Sequence, residues 1–526
     1  MPVSQACWMM GVVMRPTTRL FVASAVVATS TATPLVAQTD SSRLRDAVTV
    51  AAIRTHQREL QKIADANSGT RVSGSPGYEA SARYVEQKLR DAGYQVVVQP
   101  FQFPIFEERS QSEVARLSPG SRSYVHGTDF LTLRYSGSGT VEGVAVPTRD
   151  IVIPPTREPS STSGCEPADF PAAPTEPAVA LVQRGTCSYE IKVTNAAAAG
   201  YEAVIIFNEG QEGRREVITG TLGAPVGIPV VFTSFAVGEE LHALSQRGAV
   251  RARVRTDTIT ESRETANVIA ETSEGTADRV VVVGAHLDSV REGPGINDNG
   301  SGTATVLEIA LQMRQLGVAS SNRLRFAFWG AEESGLLGSK HFIDQLPQEE
   351  LNKILLNLNF DMLGSPNPVR FVYDGDGSED GPVGPPGSAE IEAVFLDYFR
   401  GQNLPTLSTP FDGRSDYGPF IDKGIPAGGL FTGAEGLKTE MQAQIFGGTA
   451  GEAHDRCYHQ ACDDLANNND RALDELSDAA SHSVLHFATT PPPPSLAAAF
   501  RAGVARAAAR VPLETLPFRG EAQLQR

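Results

Sequence analysis

The sequence predicts an α/β fold: a mixed, largely parallel sheet sandwiched by helices, with an inserted β-rich domain. Two observations carry this prediction. From residue 279 onward, apolar stretches alternate with helical patterns, and these stretches are apolar on both faces, as strands of a sheet covered on both sides are. From about 140 to 258, short β-branched runs broken by glycine and proline replace that alternation, which is typical of a separate β-rich domain.

The chain before and within the insert predicts three helices and one further strand. Helical periodicity covers 42–66 and 76–92, and Gly93 follows the second helix as a C-cap. A strand is expected at 94–98. Within the insert, an alanine-rich stretch predicts a helix at 191–199.

After the insert, strands and helices alternate. The predicted strands are RVVVVGAHL, LRFAFWGA and LLNLNFDML, and helices are expected at 301–316 and 335–345. In such sheets ligands bind outside the carboxyl ends of the strands, so we expect the functional residues there.

These patterns divide the chain into five segments. They are a signal peptide at 1–37, the first part of the main domain at 38–139, the insert at 140–258, the catalytic part at 259–488, and a proline-rich linker with a C-terminal tail at 489–526. The tail is rich in arginine, opposite in sign to the body. It is therefore either a propeptide that masks an acidic cleft or a plain surface tail.

Composition excludes several classes of partner. The 526 residues include 45 basic and 62 acidic side chains, which gives a formal net charge of −17. This balance argues against nucleic acid and against an anionic membrane surface. Neither is expected as a partner.

The N-terminus predicts export. Arg15 and Arg19 precede an apolar run at 20–27, and small residues follow as far as Ala37, where we expect cleavage. A membrane anchor is the weaker alternative, because the run is far shorter than the roughly 20 apolar residues that a span requires. We therefore expect a secreted or periplasmic protein.

The cysteines agree with an oxidising compartment. Removal of Cys7 with the signal peptide would leave four, an even number. We expect one disulfide between Cys457 and Cys462, around His459, and another between Cys165 and Cys187. A cysteine-rich zinc site is the alternative, but the C-x2-C spacing is missing from the sequence.

The polar residues at the ends of the segments are the strongest functional signal. They are His286 and Asp288 in GAHLDS, Asp298 in NDNGSG, Glu332 and Glu333 in WGAEES, Asp361 in NFDMLG, and His459 in CYHQACD. Two imidazoles and several carboxylates are ligands that Zn²⁺ accepts in catalytic sites. One bridging carboxylate with two further ligands per metal would hold two zinc ions, which together activate one hydroxide.

Six residues fit this scheme, with five as metal ligands and one of the neighbouring Glu332 and Glu333 as general base. The spacing does not decide which glutamate is the base. Asp288 is placed to accept the far ring N–H of His286, although it could instead cap a loop.

Other histidines offer weaker alternatives. His482 and His486 share a helix face at the i, i+4 spacing of a zinc-binding pair but lack the intervening glutamate. His454 lies in the same loop as His459 and is a minor competitor. The sequence also lacks the H-E-x-x-H, G-x-S-x-G and phosphate-binding loop motifs.

Taken in order, these segments resemble the co-catalytic zinc aminopeptidases of metallopeptidase family 28, of the secreted bacterial type. The matching stretches are TRVSGSPGYEASARYVEQKLRDAGY, GAHLDSV, GINDNGSGTATVLEIA, LRFAFWGAEESGLLGS, NFDMLG, RSDYGPF and CYHQACD. The segments ALVQRGTCSYEIKVTNAAAAGYEAVIIFN and GIPVVFTS resemble a protease-associated domain. The resemblance implies the zinc-exopeptidase fold, which is of the phosphorylase/hydrolase-like type.

The resemblance also implies a role for each residue. Asp298 would bridge the metals, His286 and Asp361 would complete one site, and Glu333 and His459 the other. Glu332 would be the general base, and Tyr458 would stabilise the oxyanion. Arg414 matches a residue near the substrate terminus. Relatives also imply a cis peptide bond after Asp298.

The expected function is therefore a secreted aminopeptidase that uses two zinc ions and removes N-terminal residues, preferably apolar ones, from peptides. Met362, Phe411 and Phe420 lie near site motifs and could line an apolar pocket, but core packing is the commoner fate of such residues. The alternatives are a carboxypeptidase of the glutamate-releasing type, a single-zinc glutaminyl cyclase, and an inactive receptor-like homologue.

Overall fold

The computed structural model describes residues 39–491, except 158–159, 173–174, 212–213, 219 and 380–381. The signal peptide predicted at 1–37, and all but the first residues of the segment predicted at 489–526, lie outside the described residues. Within the described part, no helix has both the length and the apolar composition needed to cross a bilayer.

The strands of the described chain form one continuous sheet. They are β1 (Gln95–Ser118), β2 (Arg122–Ser123), β3 (Phe130–Thr132), β4 (Gly139–Pro147), β5 (Ala178–Gln183), β6 (Ala203–Phe207), β7 (Val230–Thr233), β8 (Arg251–Glu271), β9 (Thr276–His286), β10 (Asn322–Trp329), β11 (Ile354–Phe360), β12 (Phe371–Tyr373), β13 (Leu407–Thr409) and β14 (Ala427–Phe431). Their order in the sheet is β13-β12-β14-β11-β9-β10-β8-β4-β5-β6-β7-β3, and β1 pairs with β8 and β2.

The helices lie between the strands in sequence. They are α1 (Ser42–Ala47), α2 (Val50–Ala66), α3 (Pro76–Asp91), α4 (Tyr189–Ala198), α5 (Phe235–Ser245), α6 (Gly300–Gln315), α7 (Leu337–Gln345), α8 (Gln348–Leu351), α9 (Ser388–Gly401), α10 (Gly418–Asp422), α11 (Glu440–Phe446) and α12 (Asp470–Thr489), with a short 3-10 helix at Pro167–Asp169.

The centre of the main domain is parallel, as predicted. Strand β9 pairs in parallel with β10 on one side and with β11 on the other, and β11 pairs in parallel with β14. Every residue of β11 is buried, and so are the last seven of β9. Helices α2, α3, α6, α9 and α12 supply buried residues to the core on one face of the sheet, and α7, α8 and α10 supply them to a smaller core. The predicted helical layers on both faces are therefore present.

A long antiparallel ribbon of β1 and β8 joins the main domain to the insert. The C-terminal part of β8 pairs with β10, and its N-terminal part pairs with β4 of the insert. The strand predicted at 94–98 is thus only the beginning of β1. The boundary predicted between 258 and 259 falls inside β8, and β3, placed before the predicted boundary at 140, pairs with β7 of the insert.

The insert is built around the parallel strands β4, β5, β6 and β7, with a core on each face of the sheet. Two helices, α4 and α5, accompany these strands. The helix predicted at 191–199 corresponds to α4, whereas α5 was not predicted. The predicted Cys165–Cys187 disulfide is present beside α4.

The helix predicted at 42–66 is in fact two helices. The chain leaves helical geometry at Val48 and Thr49, and the Thr49 side chain accepts a hydrogen bond from the Ala52 backbone N–H at 3.2 Å. Threonine is favoured at the N-cap because its hydroxyl accepts a hydrogen bond from a first-turn backbone N–H that has no partner within the helix.

Helix α12 packs against α1, and two of its histidines hold the chain before α1. His482 Nδ1 lies 2.9 Å from Ser41 Oγ, and His486 Nδ1 lies 2.9 Å from Thr39 Oγ1. Burial lowers the pKa of His482 to about 4, and the charges of His486 and Arg45 act in the same direction. The Tyr398 ring lies tilted beside His482 with ring centroids 4.9 Å apart, and Asp478 forms an ion pair with Arg45. The pair is therefore structural.

This histidine predicts a pH dependence of stability. Because the pKa of His482 is lower in the folded than in the unfolded chain, the unfolded state binds more protons between about pH 6.5 and pH 4. Stability should fall as the pH drops through this window, and His482→Gln should reduce the loss. Denaturant midpoints at pH 7.5 and pH 5 measure both. An equal loss in the variant and the native chain would contradict the assignment.

Candidate functional site

The site lies where the parallel strands end. His286 is the last residue of β9, Glu332 and Glu333 follow β10 closely, and Asp361 follows β11 directly. In the parallel pairing of β9 with β10, Trp329 at the end of β10 lies opposite His286. The predicted convergence at the carboxyl edge of the sheet is therefore present.

Two groups of potential metal ligands meet at Asp298. His286 Nε2 lies 3.2 Å from Asp298 Oδ1 and 3.3 Å from Asp361 Oδ1. His459 Nε2 lies 3.2 Å from Asp298 Oδ2 and 3.1 Å from Glu333 Oε2. The two oxygens of Asp298 thus face different histidines, which is the arrangement a carboxylate needs to bridge two ions.

The cluster leaves buried polar atoms without hydrogen-bond partners among the described residues. They include Glu333 Oε1, Asp361 Oδ1 and His459 Nε2. Such atoms are costly unless a partner satisfies them. Carboxylate oxygens and imidazole nitrogens are zinc ligands, so the residues present fit two divalent cations.

The buried carboxylates of the site are stabilised by positive charge close to them. Burial favours neutral imidazoles, but Glu332 and Asp361 raise the pKa of His286 well above its ordinary value. Glu333 and Asp298 likewise raise the pKa of His459 against the effect of burial. Without cations the carboxylates therefore hold protons on both imidazoles, and bound metal ions would displace those protons.

The two neighbouring glutamates have different surroundings. Glu333 Oε2 is in contact distance of His459, whereas Glu332 Oε2 lies 4.0 Å from His286 Nε2. Burial raises the pKa of Glu332 well above its usual range. Glu333 thus fits the ligand position, and Glu332 lies beside the cluster. Glu332 also forms a group of potential metal ligands with His286 and Glu333.

Asp288 lies beside the far ring nitrogen of His286 and also contacts Glu332. His286 Nδ1 donates to the backbone carbonyl of Asp288 at 3.2 Å, while the Asp288 carboxylate is 3.6 Å away. That carboxylate accepts the backbone N–H of Glu332 at 3.2 Å. The first bond leaves His286 Nε2 free for a metal, and the second positions Glu332.

The sequence did not reveal Arg71, which holds the loop between His286 and Asp298. Its fully buried guanidinium donates to the carbonyls of Leu287, Pro294 and Gly295. The only sequence signal was its place in TRVSGSPG, a segment that matched the family.

Asp463 was also missed. Its carboxylate accepts the backbone N–H groups of Asn297 and Asp298, both at 2.9 Å. The cis peptide bond implied after Asp298 is present. Asp463 therefore fixes the backbone on which the bridging carboxylate sits, and it does so from the loop that carries His459.

That loop is closed by the predicted Cys457–Cys462 disulfide. Tyr458 stacks on His459 with ring centroids 3.8 Å apart. Arg414 donates to Tyr458 Oη at 3.1 Å and forms a two-point ion pair with Glu435. Arg414 is thus tied to Tyr458 as well as lining the cleft.

The cleft has an apolar side next to Asp361. Met362, Tyr373, Pro410 and Phe431 line it. Phe411 does not, because it stacks beneath Tyr373, and Phe420 packs against Trp329 in the core. The two phenylalanines proposed for this pocket are therefore core residues.

The rival histidines do not join the cluster. His482 and His486 hold the chain before α1, as described above. His454 Nδ1 lies 3.0 Å from the carbonyl of Asn367. These contacts explain why the three histidines are present without a catalytic role.

Known proteins share both parts of this architecture. Residues 267–484 match peptidase family M28, and residues 147–241 match the PA domain. An aminopeptidase of Pseudomonas aeruginosa is 48% identical over 425 residues, covering 80% of this chain and 78% of the relative. A probable leucine aminopeptidase 2 of Aspergillus fumigatus is 40% identical over 425 residues, covering 80% of this chain and 79% of the relative.

A solved structure agrees with these sequence relatives. BSAP, a zinc aminopeptidase from Bacillus subtilis, superimposes with a TM-score of 0.55 at 25% identity, covering 84% of this chain and 96% of that one. With 48% identity to an aminopeptidase over most of both chains, the protein belongs to peptidase family M28 and is an aminopeptidase with a PA domain.

Proposed function

We propose that the enzyme removes the N-terminal residue of peptides with two zinc ions, held by His286 and Asp361 on one side, by Glu333 and His459 on the other, and by Asp298 between them. The observation that carries this proposal is the orientation of Asp298, whose two oxygens face the two histidines. When bound, the zinc ions would polarise the scissile carbonyl and lower the pKa of the attacking water.

Glu332 is the general base in this proposal. It lines the cleft with Oε2 4.0 Å from His286 Nε2, and burial raises the pKa of its carboxylate. A carboxylate with such a pKa can take a proton from water and return it to the leaving amine. The backbone bond to Asp288 fixes the residue in position for both transfers.

Tyr458 donates a hydrogen bond from its phenolic O–H to the developing oxyanion. The Tyr458 oxygen already accepts a hydrogen bond from Arg414, so its own O–H is free to point into the cleft. Arg414 is held by Glu435 and therefore acts mainly by positioning Tyr458.

The N-terminal side chain binds on the apolar side of the cleft, where Met362 and Tyr373 lie. Apolar N-terminal residues fit this surface, and the relative from Aspergillus fumigatus is named a probable leucine aminopeptidase. The acidic side chains around the metal ligands suit the substrate ammonium group. The aminopeptidase relatives disfavour a carboxypeptidase or cyclase activity.

The enzyme works outside the cytoplasm in this proposal. Both disulfides close in the described chain, and disulfides persist in secreted and periplasmic proteins. The N-terminal segment predicted to direct export agrees with this location.

Replacement of the general base should nearly abolish catalysis. Glu332→Gln removes the proton acceptor, and kcat for leucyl p-nitroanilide should fall by about 10²- to 10⁴-fold. Zinc content should stay at two per chain, since Glu332 is not a ligand in this assignment. Glu349→Gln, at an exposed glutamate, is the matched control. Unchanged hydrolysis in Glu332→Gln would show that another group is the base.

Ligand variants should lose zinc in steps. Native protein should hold two zinc ions per chain, His459→Ala about one, and Asp298→Ala fewer than one, because Asp298 serves both ions. Inductively coupled plasma mass spectrometry measures the content. Chelation should abolish activity, and added zinc should restore it.

A second acidic cluster provides the control for zinc content. Asp374, Asp376 and Glu392 form a separate group that shares no residue with the groups around Asp298, and none of the three lines the cleft. Asp376→Ala should therefore keep two zinc ions. If His459→Ala kept both ions, the assignment of His459 as a ligand would be wrong.

Loss of the phenol should lower turnover more than binding. Tyr458→Phe removes one oxyanion donor, so kcat should fall by about 10²- to 10³-fold with little change in KM. Tyr84→Phe, whose hydroxyl bonds to His56, serves as control. A rise in KM with normal kcat would instead assign Tyr458 to substrate binding.

A further inference from the structure

The insert contributes a cation to the wall of the active-site cleft. Arg134 lies just after β3, which precedes the predicted boundary at 140 but pairs with β7 of the insert, and it lines the cleft together with Thr221. The same cleft contains His286, Asp298 and the other ligand candidates. The insert therefore supplies part of the surface that a bound peptide contacts.

Arg134 is fixed at both ends. Its backbone N–H donates to the Gly220 carbonyl at 2.8 Å, and its own carbonyl accepts from Leu222 at 3.1 Å. The guanidinium donates from Nη1 to the Glu333 carbonyl at 2.8 Å and from Nη2 to Ser334 Oγ at 3.1 Å. Its position beside the metal ligand Glu333 is thus well defined.

The charge of Arg134 is not neutralised within the described part of the chain. Its two bonds go to neutral oxygens, and it forms no ion pair there with a carboxylate within 4.0 Å. Arg414, the other arginine of the cleft, is neutralised by Glu435. A guanidinium carries five N–H donors, so Arg134 keeps donors for a further acceptor.

Arg134 lies on the side of the cleft towards which the leaving fragment of a bound peptide would extend. The apolar side of the cleft is next to Asp361, whereas Arg134 contacts the backbone of Glu333, in the other ligand group. A substrate whose N-terminal side chain fills the apolar side would extend its remaining chain towards Glu333. One extended residue spans only about 3.5 Å, so the residues after the scissile bond come close to Arg134.

We propose that Arg134 binds a carboxylate of the leaving fragment and so makes the insert a determinant of substrate choice. This inference rests on the proposed aminopeptidase mechanism. The carboxylate is either the C-terminal group of a di- or tripeptide or the side chain of an acidic residue after the scissile bond. Arginine binds carboxylates through paired N–H donors, which gives orientation as well as affinity.

The net charge of the protein provides a way to detect carboxylate binding by Arg134. At −17 the molecule as a whole repels anionic peptides. A preference for a free carboxylate over its neutral amide therefore requires local positive charge, and its loss in Arg134→Gln would assign that charge to Arg134 rather than to the zinc ions. Arg134 is positioned to provide it.

The test compares matched acid and amide substrates. Leu-Gly is compared with Leu-Gly amide, and Leu-Asp amide with Leu-Asn amide, so that the terminal and side-chain sources of the carboxylate are separated. In the native enzyme kcat/KM should be about 10- to 100-fold higher for the acid of at least one pair. In Arg134→Gln this ratio should fall to near one, and Arg134→Lys should retain part of it.

Arg255→Gln is the control, because Arg255 lies on β8 of the ribbon and pairs with Glu113 away from the cleft. It should keep the native ratio. A ratio compares two substrates on one enzyme, so a general loss of activity in an Arg134 variant does not disturb it.

The outcomes separate the two proposals. Leucyl p-nitroanilide has no carboxylate, and failure of the native enzyme to cleave it would overturn the proposed function itself. Normal cleavage of that anilide with acid-to-amide ratios near one in both pairs would overturn only the role of Arg134. Ratios that persist in Arg134→Gln would do the same.

Discussion

The mutual repulsion of buried carboxylates at the edge of the sheet is the constraint on which the rest of the site depends. Asp298, Glu332 and Asp361 are less than a tenth exposed, and Asp288 is fully buried. Charges of one sign cannot be buried together without compensation. The raised pKa values of His286 and His459 are one form of that compensation, and bound divalent cations are the form that leaves both imidazoles neutral.

Such a cluster persists only if the backbone around it is held rigidly. Arg71 binds three carbonyls between His286 and Asp298, and Asp463 binds the N–H groups at Asn297 and Asp298. Both are buried ionisable groups that hold backbone rather than contact substrate. The His459 loop carries Asp463, so one loop holds both His459 and the backbone at Asp298.

Features that follow from a periodic pattern in the sequence can be predicted from it. Features that depend on contacts between residues far apart in the chain cannot. Apolar strands that alternate with helices predict the parallel core, and polar residues at their ends predict the ligand cluster. The cap at Thr49, the length of β1 and the buried Arg71 leave no such periodic signal. Phe411 and Phe420 lie near motifs in the sequence but pack in the core, because proximity to a motif does not place an aromatic ring in the cleft.

The β1–β8 ribbon explains why the insert can influence catalysis although it supplies no ligand. A domain attached by flexible linkers could not place Arg134 within hydrogen-bonding distance of the Glu333 backbone. Here β8 pairs with β10 of the main domain and with β4 of the insert in one continuous strand. The two cores are thus coupled through backbone hydrogen bonds, so the position of Arg134 is fixed relative to the strand ends. Sequence variation in the insert can therefore alter the wall of the cleft next to Glu333.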